Sequence, residues 1–250
     1  MNDIRIFGVR GMPEVAAGDD LPGLIAQALH KMGERLHDGD VVAVTSKIVS
    51  KAEGRIVREQ DVVPSDFAVA LAQHSNKSAA EIEVILRESA RPVKMIDRVM
   101  IMETKHGFIC ANAGVDRSNV AGEGAMLMLP EDPDRSAEHI RLALEERFGV
   151  SLAVVITDTF GRPWRVGQTN VAIGVSGMAP ILDYKGRKDN HDRTLQATAI
   201  AVADELAGAA ELVMNKTDRI PVAVIRGYPY VRAPGKAGEL IRPKHLDLFQ

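Results

Sequence analysis

His37-Asp38-Gly39-Asp40-Val41-Val42-Ala43-Val44 is the stretch whose reading decides the fold. The Asp-Gly pair marks a turn, and the four residues after Asp40 are all apolar. A strand with one wet face alternates polar and apolar side chains, so an unbroken apolar run of this length reads as a strand covered on both faces. Leu152 to Ile156 reads the same way, Pro221 to Ile225 supplies a final strand, and Ile4 to Val9 alternates as a further one. Around these strands lie segments with helical spacing. Leu21, Leu24, Ile25, Ala28, Leu29, Met32 and Leu36 follow Asp19 and Asp20, acids suited to a helix N-terminus. Ser65 to Gln73 reads as a helix, as does Ser78 to Ala90, which opens with Ser78 and Glu81 in capping-box spacing and closes before Pro92. Ser136 to Phe148 is expected to stop at Gly149, and Leu195 to Met214 is alanine-rich. Arg98 to Glu103 and His106 to Asn112 read as strands around Thr104-Lys105. The expected class is mixed α/β, with mixed sheets and flanking helices.

At 250 residues and 46% hydrophobic content, the chain can bury roughly 70 to 75% of the surface it exposes unfolded. No linker, repeat or low-complexity tract divides it, so residues 1–250 are expected to form a single domain of two closely packed lobes. Lysine and arginine number 31 against 34 acids, a net charge of -3, which disfavours a polynucleotide partner. Asp3, Arg5, Arg10 and Glu14 interrupt the first twenty residues, leaving neither a signal peptide nor a membrane span. A cytoplasmic protein is expected. The single cysteine, Cys110, lies in an apolar run and reads as a packing residue.

The strongest chemical signal is Thr157-Asp158-Thr159-Phe160-Gly161-Arg162-Pro163-Trp164-Arg165, where a carboxylate and two hydroxyls follow a buried strand. Ligands of open α/β sheets bind at strand ends, and a hard divalent cation takes oxygen ligands and bridges phosphates. Arg162 and Arg165 could clamp phosphate or carboxylate oxygens. The plainer alternative is a turn-capping Asp with solvated arginines. Asp116 and Asn119 sit in a second loop, after Gly114, a residue that would let the backbone approach a ligand closely. Asp116 with Asp158 would make a two-carboxylate cradle, though an Asx turn explains that loop equally. Thr45-Ser46-Lys47-Ile48-Val49-Ser50-Lys51 places hydroxyls and two ammonium groups at another strand end, either a phosphate-binding edge or solvated lysines. No Walker loop, zinc spacing, Gly-x-Ser-x-Gly elbow or Rossmann fingerprint is present.

Gly11-Met12-Pro13-Glu14, Gly18-Asp19-Asp20-Leu21, the segment from Asp38 to Arg55, Asn112 to Asn119, Ile156 to Gln168 and Ala203-Asp204-Glu205 together resemble one family, the glutamate ligases of coenzyme F420 biosynthesis. The resemblance runs from Ile4 to the Asp247-Leu248-Phe249 tail. It implies a two-lobed, intertwined homodimer that uses GTP and Mg²⁺ or Mn²⁺, helped by K⁺. Such an enzyme joins L-glutamate to the phospholactyl carboxylate of coenzyme F420-0 through an acyl phosphate, then adds γ-linked glutamates. By motif position Asp116 and Asp158 resemble ligands of one metal, and Thr159 a ligand of a second. Met12, Pro13, Glu14, Val15, Ser46, Lys51 and Asn119 resemble nucleotide contacts, as do Asn215, Lys216 and Thr217 in the Met214 to Pro221 loop. Arg162 or Arg165 would hold the acceptor or the incoming glutamate. Members commonly carry glycine where this chain has Asn215, and some place an acid or amide near Lys216, whose ammonium cannot ligate a metal. At His191-Asp192-Arg193 the family tends to an aromatic residue and a glycine. The alternatives are a ligase of the same scaffold with another acceptor or amino acid, and a non-catalytic nucleotide-binding regulator.

Overall fold

The computed structural model describes residues 3–96, 99–118, 122 and 124–247. In chain order the elements are β1 (Arg5–Gly8), α1 (Leu21–Lys31), β2 (Val41–Thr45), α2 (Ser46–Ala52), β3 (Ile56–Arg58), α3 (Asp66–Ala72), α4 (Ala79–Arg87), β4 (Ser89–Ile96), β5 (Val99–Thr104) and β6 (Ile109–Ala111). They continue with β7 (Ala125–Leu127), α5 (Pro133–Phe148), β8 (Ala153–Arg162), β9 (Arg165–Ser176), β10 (Leu182–Asp183), β11 (Ala199–Ile200), α6 (Val202–Met214) and β12 (Val222–Arg226). The mixed α/β class expected from the sequence is what forms.

The main sheet has the order β1-β12-β2-β8-β9, with β2 and β8 parallel and the other neighbours antiparallel. Its three central strands are the unbroken apolar runs. Alternation along them sends Val42, Val44, Val154, Ile156, Val222 and Val224 to one face, where Ile25 and Leu29 of α1, Ile48 of α2 and Ile140 and Leu144 of α5 pack. The opposite face carries Val41, Ala43, Ala153, Val155, Ala223 and Ile225 against Ala203, Leu206, Ala207 and Ala210 of α6. Two dry faces explain the absence of alternation in the sequence.

A separate hydrophobic cluster lies beneath the remaining elements. Ala68 of α3, Ile82 and Ile85 of α4, Met100 and Met102 of β5, and Met126 of β7 enclose Ala113 and Val115. It is built on the antiparallel β4-β5-β6 sheet and the β3–β7 pair. The loop that carries Asp116 grows out of this cluster.

Several boundaries differ from expectation. α1 stops at Lys31, because Gly33 turns to φ 69, and Leu36 is buried from the loop beyond. α5 begins earlier, at Pro133, since Asp132 caps it by accepting from the Arg135 N–H; it ends at Gly149 as expected. α6 starts only at Val202, the residues before it being tied to the 182–187 segment by β11 and by the Gly186 N–H donating to the Leu195 carbonyl. Ser46–Ala52 forms a helix and Ser89–Ile96 a strand, neither of which the apolar pattern announces. No helix among the described residues is long and apolar enough to cross a membrane.

Candidate active site

Strand register brings distant segments to one end of the main sheet. β2 pairs last with β8 at Thr45 and Thr157, and β8 then runs on through Arg162 against β9. The Thr45 N–H donates to the Pro221 carbonyl at 2.9 Å, which places the 215–221 loop beside the end of β2. The Val9 N–H donates to the Val222 carbonyl at 2.8 Å, which brings the segment after β1 to the same end. Residues 9–15, the start of α2, residues 158–162 and residues 215–221 therefore meet at the carboxyl end of the parallel pair. This is where open α/β sheets hold ligands. The sequence reading put Asp158 in a loop after its strand. It lies within β8, one residue past the end of the pairing with β2.

Asp158 shares the face of Ile156, and the Ser46 hydroxyl at the start of α2 donates to its Oδ1 at 2.9 Å. The next residue, Lys47, reaches across with its ammonium 2.6 Å from Asp116 Oδ2 and donates to Ser118 Oγ at 2.7 Å. Asp116 also accepts from the Ser118 N–H and hydroxyl, both at 2.8 Å. Its backbone is pinned to β7 by reciprocal bonds with Leu127. Its neighbour Arg117 is clamped by Glu59 at 2.7 Å and Glu81 at 3.1 Å. The two carboxylates, carried by elements of separate hydrophobic clusters, are thus brought together through Ser46 and Lys47.

Their surroundings drive them apart in acidity. Burial raises the Asp158 pKa, and the negative Asp116 adds to this; the Ser46 hydroxyl, the Thr159 N–H and Lys47 oppose it, and the result is about 6. Burial also pushes Asp116 up, but the Lys47 ammonium and the Ser118 donors outweigh it and hold its pKa below the ordinary carboxylate value. A pair of carboxylates close enough to repel, flanked by the Ser46 and Ser118 hydroxyls, fits a hard divalent cation once the Lys47 ammonium is displaced, since such a cation uses one or two carboxylates plus substrate phosphates. Among the described residues no group of three or more His, Cys, Asp or Glu side chains gathers. A cage made wholly of such side chains is not what these residues build.

Thr159 points to the other face of β8, as alternation requires. Its hydroxyl donates to Asn170 Oδ1 at 2.8 Å and accepts from the Lys216 ammonium at 2.6 Å. Lys216 also lies 2.9 Å from Glu211 Oε1 and 3.3 Å from Asn170 Oδ1. With an ammonium seated there, the residues around Thr159 do not fit a second divalent ion.

The remaining candidates divide. Glu14, exposed, pairs with the buried Lys51, which sits about 7.5 Å along α2 from Ser46. Met12 is half-buried against the core, Pro13 is exposed and Val15 is buried, so this segment is anchored at both ends of Pro13-Glu14. Asn215 bonds Asp218 Oδ2 at 2.9 Å, and Thr217 is exposed beside it. Arg162 donates to the Val166 carbonyl at 2.9 Å, while Arg165 is exposed at the same hairpin tip, so the contacts of Arg162 serve its own turn and not the carboxylates. Asn119 lies outside the described residues. Gly114 gives room to Leu129, not to a ligand: a Cβ there would lie 2.6 Å from Leu129 Cγ. Cys110 is buried, and burial with Asp158 nearby pushes its thiol up to about 12, which excludes a nucleophilic role at neutral pH. Lys47, Ser118, Asn170 and Glu211 were not singled out by sequence. Lys47 stood in the hydroxyl-rich run after β2 and Ser118 in the loop from Asn112 to Asn119, but Asn170 and Glu211 carried no local signal.

Comparison with known proteins places these features in context. Residues 9–227 match the family model described as F420-0:Gamma-glutamyl ligase. The chain is 47% identical over 250 residues to the coenzyme F420:L-glutamate ligase of Methanothermobacter thermautotrophicus, covering 99% of both chains. It is 43% identical over 252 residues to the protein of that name from Methanopyrus kandleri, covering 99% of this chain and 98% of the other. With the Methanocaldococcus jannaschii protein it shares 43% identity over 216 residues, 86% of each chain.

Proposed function

Because the chain belongs to the F420-0:gamma-glutamyl ligase family, we propose that it uses GTP and Mg²⁺ or Mn²⁺ to form the amide between L-glutamate and the phospholactyl carboxylate of coenzyme F420-0, and then extends the product with γ-linked glutamates. The observation that carries this reading is the meeting of Asp116 and Asp158 across Ser46 and Lys47.

A carboxylate and an amine do not condense in water without activation. In the proposed first step an oxygen of the acceptor carboxylate bonds to the γ-phosphorus of GTP while the bond from that phosphorus to GDP breaks. The glutamate nitrogen then bonds to the acyl carbon, phosphate departs and the amine gives up a proton. Two anions must approach in the first step, so charge has to be neutralised around the transferring group. A bound divalent cation would supply that neutralisation, held by Asp116 and Asp158. Lys47 is an ammonium on a flexible stem, and on displacement from Asp116 it would turn to a phosphate oxygen. Lys51 would reach phosphate on release from Glu14, and Ser46 keeps Asp158 Oδ1 oriented. Arg162 and Arg165, at the exposed hairpin tip, are proposed to meet the carboxylates of substrates only on binding.

A cytoplasmic site of action and two lobes assembled as an intertwined homodimer belong to the same reading. The support for the lobes is the separate core beneath Asp116. For the dimer it is the hairpin tip, where Trp164 is 85% and Val166 99% exposed. The test combines GTP, Mn²⁺, L-glutamate and F420-0 and follows product mass and GDP. The expected product carries one or more added glutamyl units, with GDP release that needs both acceptor and glutamate. Asp158→Asn is expected to lower turnover by at least about a hundredfold, the scale of losing one preorganised electrostatic group, while the circular dichroism spectrum is unchanged. GDP release independent of acceptor, or an active Asp158→Asn enzyme, defeats the proposal.

A further inference from the structure

Asn170 is buried in β9 with its side-chain amide fixed. Its Nδ2 donates to Glu211 Oε2 at 2.9 Å, so its Oδ1 faces the opposite way, toward Thr159. Glu211, on the last turn of α6, thereby has one oxygen engaged and turns Oε1 to the same place. A hydroxyl oxygen, an amide oxygen and a carboxylate oxygen converge on a single point, and the Lys216 Nζ occupies it at 2.6, 3.3 and 2.9 Å. An all-oxygen set bearing one negative charge is what a hard cation recruits. An alkylammonium resembles a potassium ion in size and charge, and here its three N–H groups match three oxygens.

The backbone is bent to deliver it. Asn215 caps α6 at φ 53, ψ 179, a region that glycine alone occupies without strain. Strain tolerated immediately before a lysine whose side chain is more than half exposed marks the placement of that ammonium as something other than packing.

We propose that Lys216 is a built-in cation: it fills the oxygen site of Thr159, Asn170 and Glu211 so that this site draws no ion from solution, and it presents its charge to nucleotide phosphate at the end of β8. The proposal rests on reading Asp116 and Asp158 as the metal-nucleotide site. It makes the second cation of the reaction part of the chain.

Counting bound Mn²⁺ per chain, by equilibrium dialysis with spin-resonance detection of the free ion, tests this on the full-length protein with Mn²⁺ alone. Lys216→Ala and Lys216→Gln should each bind one Mn²⁺ more than the wild type, and adding Glu211→Gln should cancel that gain. No extra ion in either variant overturns the proposal, because a merely structural ammonium leaves no ion site behind. A Lys216→Gln chain that fails to fold overturns it too. The wild-type count reports separately on Asp116 and Asp158: no ion there sinks the metal-nucleotide reading while leaving the difference between variant and wild type interpretable.

Discussion

Asp116 and Asp158 sit close together yet their acidities are shifted in opposite directions, and the shift of Asp158 can be read as stability. Asp158, pushed up to about 6 by burial, binds its proton more tightly in the folded chain than in the unfolded one. Between the ordinary carboxylate range and about pH 6 the folded state therefore holds more protons, and stability falls as pH rises through that window. Asp158→Asn removes the ionisation. Measured by urea unfolding of metal-free protein, the variant should gain on the order of 2 kcal/mol relative to wild type between about pH 4 and about pH 7. A constant difference across that range would show that Asp158 titrates normally. A cation requires the ionised form, so Mn²⁺ affinity should weaken as pH drops below about 6. Both acids were legible in the sequence, each in a polar loop motif. Lys47 was visible only as one of two lysines in a hydroxyl-rich run, because its partner lies 69 residues away in another hydrophobic cluster. Spacing along one element carries no information about such a pair.

Elements show the same division between what side chains announce and what the backbone decides. β8 was expected to end at Ile156, where the apolar run stops; it continues to Arg162 because its remaining residues are held by ladder bonds to β9 across a hairpin at Pro163-Trp164. Beyond the buried Thr157 the side chains are only partly buried and, from Gly161, exposed, so they need not be apolar and the hydrophobic pattern falls silent while the strand persists. The loop from Asn112 to Asp116 is set differently, by close packing. Gly114 adopts φ 75 and would place a Cβ within 2.7 Å of two Leu129 side-chain atoms. Leu129 belongs to the buried core and has little room to move. Gly114→Ala combines a left-handed backbone with an overpacked contact, and should cost about 2 to 4 kcal/mol. It should also weaken Mn²⁺ binding by displacing Asp116. A variant with unchanged urea midpoint and unchanged Mn²⁺ affinity would show that this close approach does not position the carboxylate.

Across the whole molecule, the site exists only because two hydrophobic clusters deliver one carboxylate each. The main sheet fixes Asp158 by register. The second cluster fixes Asp116 through its bridge to Leu127, with Arg117 held by Glu59 and Glu81. The sequence could not show that these loops meet, since the meeting depends on how one cluster packs on the other and not on any local pattern. It has a thermodynamic signature. On the proposed reading, a cation and GDP bound across both carboxylates would stabilise the folded chain by about 2.7 kcal/mol at a hundredfold excess over Kd. Asp116→Asn and Asp158→Asn should each abolish the rise in melting midpoint that Mn²⁺ with GDP produces in the wild type. If one shared ion is responsible, either substitution already removes all there is to lose, and the double variant should lose no more than the singles: a coupling as large as the effect itself. Losses that add would mean that each carboxylate holds its own ion, and the two halves of the molecule would then bind independently.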